Sequence, residues 1–287
     1  MNFPFSIHRR NGFTLVELIV VIVIMSILAG FSAIAYREIA ADLRMSSAIN
    51  TVTAALDNAR AMAIKNNRYV MTVFRPRLDA DGTEQVIDIV VAEWSGDSAN
   101  ANRGDGDIWT YDRFTPVVGL PVRTIDGGVN VAGPGYGTGD DDTWWVSTYL
   151  PANTVVSDNE PFGSLVGVLY SPEGRVVVRN AESGADRIWV DFNNDGDQTI
   201  NAVEVVDWPW PSPLPSIGSY FDLEIPDGEP FISMTHILAV FNETECRSSS
   251  DISSWTSAGL RDNAYTQYID TTTDRIQFNR YSGVPLQ

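Results

Sequence analysis

Cysteine, histidine and lysine are nearly missing from this chain. Its 287 residues include one cysteine, Cys246, two histidines, His8 and His236, and a single lysine, Lys65. One cysteine excludes an intrachain disulfide and any Cys₂ or Cys₄ metal site, so Cys246 is expected to be an ordinary small residue. So few histidines nearly exclude a histidine-based metal site or a Ser-His-Asp triad.

Positive charge is scarce as well. Nineteen Lys and Arg residues face 37 Asp and Glu residues, and the net charge is −18. A charge of this sign repels phosphate backbones, so we expect no nucleic-acid binding. Apart from His8-Arg9-Arg10, no basic cluster is expected. No spacing singles out a carboxylate pair for glycoside hydrolysis, and we expect a protein without catalytic residues.

Near the N-terminus the sequence has a long apolar run. Residues 18–35 contain no charged residue, a length that fits a membrane-spanning helix. Arg9 and Arg10 precede the run, which favours a cytoplasmic N-terminus. A secretory signal peptide would need a small-residue cleavage site after the run, and none is present. A plain anchor leaves Glu17 unexplained, because a carboxylate inside an apolar helix is costly without a partner.

The residues Gly12-Phe13-Thr14-Leu15-Val16-Glu17 resemble the prepilin peptidase recognition motif of type IV pilins and type II secretion pseudopilins. The resemblance implies cleavage between Gly12 and Phe13 and N-methylation of Phe13 by a prepilin peptidase/methyltransferase. It also implies that Glu17 neutralises the Phe13 amine of a neighbouring subunit during filament assembly. Removal of the leader would leave 17 basic and 37 acidic residues, a net charge of −20.

The helix is predicted to continue beyond the membrane, from Phe13 to Lys65, with a stop at Asn66-Asn67. Residues 36–65 contain neither Gly nor Pro. Apolar residues recur three or four positions apart and predict one core-facing stripe: Ile39, Leu43, Ile49, Val52, Leu56, Ala59 and Ala63.

Three further segments resemble the H-type minor pseudopilins of type II secretion and the related FimT-type minor pilins. They are Ala59-Arg60 with Ala63 and Asn67-Arg68, the turn 170–175, and the hairpin 191–196 followed by Glu204. The resemblance implies a structural pseudopilus subunit with other pseudopilins as partners. The alternative is a minor type IV pilin for pilus biogenesis, adhesion or DNA uptake. A third, less favoured alternative is a tethered carbohydrate-binding or hydrolytic protein.

From Arg68 onward, short β-branched and aromatic runs alternate with turn residues. We predict strands at 68–74, 86–94, 143–149, 165–170, 175–179, 187–191, 203–207, 220–225, 232–241 and 274–279. They are expected to form antiparallel hairpins in two sheets around the end of the helix. Loops or insertions are predicted at 95–107, 133–142, 209–216 and 247–254.

The segment 191–197 is the one candidate metal site. Asp191, Asn193, Asp195 and Asp197 match the start of a calcium loop, but Ala202 stands where the loop needs its twelfth-position Glu. The favoured alternative is a tight turn whose side chains bond their own backbone. The expectation is therefore no cofactor, with calcium as an open alternative.

These patterns predict an α+β protein: a long N-terminal helix, transmembrane and then amphipathic, packed on an antiparallel β-rich globular domain. The predicted parts are a cleaved leader (1–12), a transmembrane part (13–35), an amphipathic part (36–67) and a periplasmic domain with loop insertions (68–287). We expect a single-pass protein of the bacterial inner membrane with its N-terminus in the cytoplasm, which enters a filament after processing.

Overall fold

The computed structural model describes residues 15–78, 85–102, 108–134, 144–146, 165–178, 188–192, 232–250, 258–279 and 282–286. The chain divides into two compact units, Met1–Leu43 and Arg44–Gln287. One helix, α1, runs over Leu15–Asn66. It ends because Asn67 adopts a positive φ of 51°, and the Arg68 amide donates to the Ala63 carbonyl at 3.2 Å. The predicted single helix and its stop are confirmed.

Among the described residues, two sheets and two short helices follow α1. The first sheet contains β1 (Val70–Leu78), β2 (Gln85–Asn102), β3 (Ile108–Pro116), β4 (Arg123–Ile125), β7 (Leu165–Tyr170), β8 (Val176–Val177), β9 (Ile188–Val190) and β10 (Ile232–Met234). Its strand order is β10-β7-β1-β2-β3-β9, with β4 beside β2 and β8 beside β7.

The second sheet has the order β13-β12-β11-β5-β6. Its strands are β5 (Val129–Pro134), β6 (Trp144–Val146), β11 (Ile237–Asn242), β12 (Arg275–Phe278) and β13 (Pro285–Leu286). Helices α2 (Glu243–Ser249) and α3 (Ala258–Thr272) lie between β11 and β12 in the chain. Asn242 caps α2, because its side-chain oxygen accepts from the Glu245 amide at 3.1 Å.

A shared core joins the C-terminal part of α1 to both sheets. Val52 and Leu56 of α1 have no exposed surface, and they belong to one buried cluster with Phe74 of the first sheet and Val131 and Leu238 of the second. A second buried cluster lies on the opposite side of β1, so both faces of this strand are covered. The predicted fold class, a helix followed by a β-rich domain with two sheets, is confirmed.

Most pairs of neighbouring strands are antiparallel, as expected, but two pairs are parallel. Strand β10 pairs with β7 in parallel, and β9 pairs with β3 in parallel. Parallel neighbours need long connections rather than tight turns. The predicted strands 203–207 and 220–225 and the predicted loop 209–216 lie outside the described residues.

The loop predicted at 95–107 is wrong over most of its length. Strand β2 continues to Asn102, and β3 begins at Ile108. The register shifts between Trp94 and Ser98, where Gly96 adopts a φ of 92° and forms an irregularity in the ladder. Pairing with β3 supplies the backbone hydrogen bonds here, which the low strand propensity of Gly, Asp and Asn does not predict.

The strand predicted at 232–241 is also wrong, because the chain breaks it into β10 and β11 in different sheets. Thr235 makes the break: its hydroxyl donates to the Ile237 carbonyl at 2.7 Å and accepts from the Ile237 amide at 3.2 Å. Gly133 of β5 allows this crossing, since a Cβ atom there would lie 2.9 Å from the Thr235 Cβ.

Other corrections are smaller. Strands β3, β4, β5 and β13 and helices α2 and α3 are not predicted from the sequence. Residues 247–249, expected in a loop, end α2, and residues 133–134 end β5. The strand predicted at 165–170 coincides with β7, and the other predicted strands in the described part of the chain overlap observed ones with shifted ends.

Candidate functional site

The first part of α1 is apolar on all its sides. The window Leu15–Ser32 has a mean hydropathy of 2.6, and none of it is buried. Its length and composition allow it to cross a membrane. A signal sequence near the N-terminus has the same properties, so the hydropathy alone does not decide between the two.

Polar groups in this window are few and locally placed. The Ser26 hydroxyl donates to the Ile22 carbonyl at 2.8 Å, and the Ser32 hydroxyl donates to the Leu28 carbonyl at 2.9 Å. Such bonds satisfy a hydroxyl inside an apolar helix. Glu17 is the one charged residue of the window, and it lies in the first turn of α1, where the helix dipole favours a negative group.

Gly12 and Phe13, the predicted cleavage and methylation residues, lie outside the described residues, so their roles stay predictions. Of the three predicted assembly residues, the structure places Glu17. Its side chain is exposed at the start of an apolar helix, which is the situation that the predicted pairing with an amine would stabilise.

The comparison with protein families decides what kind of N-terminus this is. Residues 7–33 match the model of the prokaryotic N-terminal methylation motif. The chain carries a prepilin-type N-terminus. This supports a type IV pilin-like or pseudopilin-like protein, and it agrees with processing by a prepilin peptidase and with membrane anchoring. Neither the curated proteins nor the solved structures contain a match to this chain.

The second part of α1 packs against the β-rich domain. Val52, Leu56 and Ala63 have no exposed surface. Ile39 and Leu43, predicted on the same stripe, expose 57% and 65% of their surface, so the prediction is wrong for these two residues. A spacing of three or four residues marks an apolar stripe, but it does not say what the stripe meets.

Arg60 connects the end of α1 to the turn 170–175. Its Nε atom donates to the Gly174 carbonyl at 3.2 Å and to the Ser282 carbonyl at 2.7 Å. Gly174 adopts a φ of 77°, and a Cβ atom there would lie 2.7 Å from Ile64 Cδ1. A glycine is therefore required in this turn for two reasons, and the two segments quoted for the resemblance contact each other.

The turn 170–175 has the tight geometry expected for it. The Ser171 amide donates to the Arg175 carbonyl at 2.8 Å, and the Gly174 amide donates to the Ser171 carbonyl at 2.8 Å. The Glu173 carboxyl is fully exposed, and its pKa is lowered mainly by a hydrogen bond from the Ser171 hydroxyl.

The predicted calcium segment begins at a buried ion pair. Asp191 follows β9 and has no exposed surface, and its Oδ2 atom accepts from Arg113 Nε at 2.7 Å. A second Arg113 nitrogen lies 2.5 Å from the same oxygen. This oxygen thus already meets a cation, supplied by β3. Asn193, Asp195 and Asp197 lie outside the described residues, so calcium binding stays a prediction.

A second buried carboxylate is not predicted from the sequence. Glu243 Oε1 accepts from Arg247 Nε at 2.9 Å and from the Tyr265 hydroxyl at 3.1 Å, and Oε2 accepts from Asn130 at 3.1 Å. Burial and then the Glu243 charge raise the pKa of Tyr265. The network links β5, α2 and α3, and it holds together residues that lie far apart in the sequence. Burial also raises the pKa of the neighbouring Cys246 to about 11, which makes an unreactive thiol.

Basic residues are frequent in the sequence between the end of α1 and the end of β1. Residues 58–78 contain no Asp or Glu, and their basic residues are Arg60, Lys65, Arg68, Arg75 and Arg77. Arg75 is buried in β1, whereas Lys65 and Arg68 are exposed. The basic character of residues 58–78 is visible in the sequence once charge is counted by segment rather than over the whole chain.

Proposed function

We propose that this chain is a structural subunit of a pilin-type filament, and specifically an H-type minor pseudopilin of a type II secretion system. The observation that carries the proposal is the N-terminus, where the methylation motif, a fully exposed apolar helix and one carboxylate coincide. On this proposal the helix first holds the subunit in the inner membrane, with the β-rich domain in the periplasm. The subunit later enters a filament with other pseudopilins and catalyses no reaction.

Glu17 has a specific task in this proposal. Cleavage after Gly12 creates a new ammonium group on Phe13, and both charges are costly in an apolar filament core. Pairing Glu17 of one subunit with Phe13 of the next offsets the cost, because opposite charges attract strongly at low dielectric constant. The pair would also fix the axial position of one helix against its neighbour.

The H-type proposal rests on the sequence resemblance, and two of the segments that carry it are in contact: Arg60 donates to the Gly174 carbonyl in the turn 170–175. A minor type IV pilin is the second candidate, because FimT-type minor pilins share these segments. Neighbouring genes separate the two: a secretin and other pseudopilins favour secretion, whereas retraction or competence genes favour a pilus.

The first test is the mass of the mature N-terminus, measured on protein purified from membranes. We expect residues 1–12 to be absent and Phe13 to carry one methyl group. An intact Met1 leader in cells with an active prepilin peptidase would refute the proposal.

The second test replaces Glu17 by Val and follows both membrane insertion and filament entry. We expect normal insertion, since the helix becomes more apolar, and filament entry reduced by at least about tenfold. The matched control is Val20→Leu in the same window. Unchanged filament entry of Glu17→Val would contradict the pairing.

A further inference from the structure

The segment predicted to bind calcium begins beside β3, where the chain still belongs to the first sheet. Strand β9 pairs with β3 in parallel, and the Asp191 amide donates to the Phe114 carbonyl at 2.9 Å, so the pairing continues past the end of β9. Val190 and Phe192 belong to the second buried cluster, as Phe114 does. Because successive side chains of a strand point to opposite faces, Asp191 lies on the other face, with Arg113 of β3.

The Arg113 guanidinium lies between two carboxylates. Its Nε atom and a second nitrogen contact Asp191 Oδ2 at 2.7 Å and 2.5 Å. Its Nη1 atom lies 4.0 Å from Asp97 Oδ2 of β2. Two carboxylates from different strands thus converge on one positive charge, and an arginine supplies that charge.

The irregularity in β2 brings Asp97 to this arginine. The Ser95 hydroxyl donates to the Arg113 carbonyl at 3.0 Å and accepts from the Asp97 amide at 3.1 Å, and Gly96 between them adopts a φ of 92°. A bulge often serves to redirect a side chain. Here it folds the strand around Arg113, so the arginine contacts β2 as well as the residue that follows β9.

Calcium does not fit at Asp191 while this ion pair is intact. The Asp191 side chain has no exposed surface, and the Arg113 side chain exposes 16%. A calcium ion bound to this carboxylate would lie within about 5 Å of the guanidinium, where like charges repel strongly because little water screens them. Arginine does not lose its proton in proteins, so deprotonation cannot relieve this repulsion.

The residue after Asp191 is held by a second arginine. The Arg75 guanidinium carbon lies 5.0 Å from the centre of the Phe192 ring, and both residues are buried. Turning Asp191 away from β3 toward a metal ion would pull Phe192 out of the second buried cluster. The start of the segment 191–197 is therefore fixed at two successive residues by contacts within the domain.

We propose that Arg113 is the permanent counter-ion of Asp191 and takes the place of calcium in this domain. The segment 191–197 then needs no metal ion for its structure, and the domain keeps its stability when calcium is removed. Arg113 has this role in the folded domain whether or not the subunit enters a secretion filament, so the proposal goes beyond the proposed function and does not rest on it.

The first test is thermal unfolding of the full chain in detergent, followed by tryptophan fluorescence. The midpoint is measured with EGTA, with calcium chloride and with magnesium chloride, each salt at about 5 mM, which fills even a weak calcium site. A ligand that binds only the folded state raises the midpoint, so we expect the three values to agree within about 2 °C. A larger rise in calcium than in magnesium would overturn the proposal.

The second test is a double-mutant cycle on the ion pair. Arg113→Met keeps most of the apolar stem but leaves the buried Asp191 charge without its guanidinium, and it should lower the midpoint by roughly 10 °C. Asp191→Asn alone should lower it by at least about 4 °C. In the double variant no buried carboxylate remains at this position, so its midpoint should be no lower than that of Arg113→Met. Losses that simply add, or a harmless Asp191→Asn, would refute the pairing.

The matched control is Arg275→Met. Its guanidinium lies 2.7 Å from Asp270, but these two side chains expose 39% and 47%, so the midpoint should change by less than about 2 °C. A loss as large as that of Arg113→Met would mean that the Asp191 pair has no special weight, which overturns the proposal. If Arg113→Met does not fold, adding Asp191→Asn should restore folding, and a double variant that also stays unfolded would contradict the counter-ion role.

Discussion

Residues 15–43 and 44–66 of α1, the two parts compared here, contain similar apolar residues and meet opposite surroundings. In the first part, large apolar side chains are exposed, from Val21 at 41% to Leu15 and Tyr36 at 74%. In the second part, Val52 and Leu56 have no exposed surface. The domain supplies the partner for the second part. The first part must find lipid or other subunits, which is what the proposed function provides.

The largest expected difference comes from truncating one leucine in each part. Leu56→Ala removes a side chain from the shared core and should lower the free energy of unfolding by about 2–5 kcal/mol. Leu43→Ala removes a side chain that is 65% exposed and should change it by less than about 0.5 kcal/mol. Chemical denaturation of the full chain in detergent, followed by tryptophan fluorescence, measures both values.

Equal losses for Leu56→Ala and Leu43→Ala would break the comparison. They would mean that the domain uses both parts of the helix, and the filament role of the first part would lose its main support.

A smaller loss in the free energy of unfolding is expected when the contact between α1 and the C-terminal hairpin is removed. Arg60→Met keeps most of the apolar stem but removes the donor to the Gly174 and Ser282 carbonyls. The loss should be about 1–3 kcal/mol, as for hydrogen bonds to a charged group. Arg68→Met, on the exposed surface, is the matched control and should be nearly neutral. A neutral Arg60→Met would show that water replaces the guanidinium without cost.

The smallest effect is expected at the end of the helix. Asn67 has a φ of 51°, where a residue with a Cβ atom is strained unless its side chain compensates. Asn67→Ala should cost about 1 kcal/mol, whereas Asn67→Gly should stay within about 0.5 kcal/mol of the original chain. Equal stability of the two variants, in the same denaturation experiment, would mean that the stop is imposed by the domain instead.

The sequence predicts the helix well because its signals are local. A long apolar run, the absence of Gly and Pro from residues 36–65 and the pair Asn66-Asn67 each act within a few residues. The turn 170–175 is predictable for the same reason, since Gly174 and the Ser171 contacts lie within one short motif.

Features that depend on distant partners are not predictable in this way. Residues 95–102 have turn composition, yet they form a strand because β3 pairs with them. Thr235 divides an apolar run that has uniform strand character. The residues before Thr235 pair in the first sheet, and the residues after it pair in the second. The carboxylate network of Glu243 joins residues separated by as many as 113 positions.

The predicted assembly site depends on local signals, as the helix does. Residue types and their order identify Gly12, Phe13 and Glu17 as a motif, because a peptidase reads a short linear segment.

The bond from Arg60 to Ser282 spans 222 residues of chain. During synthesis the helix emerges long before the hairpin that contains Ser282. The helix therefore lacks one of its fastenings until residues 282–286 have been added, and contacts of such wide separation form late in folding. A chain cut short before Ser282 would keep the apolar first part of α1 but would lack this fastening of the helix to the domain.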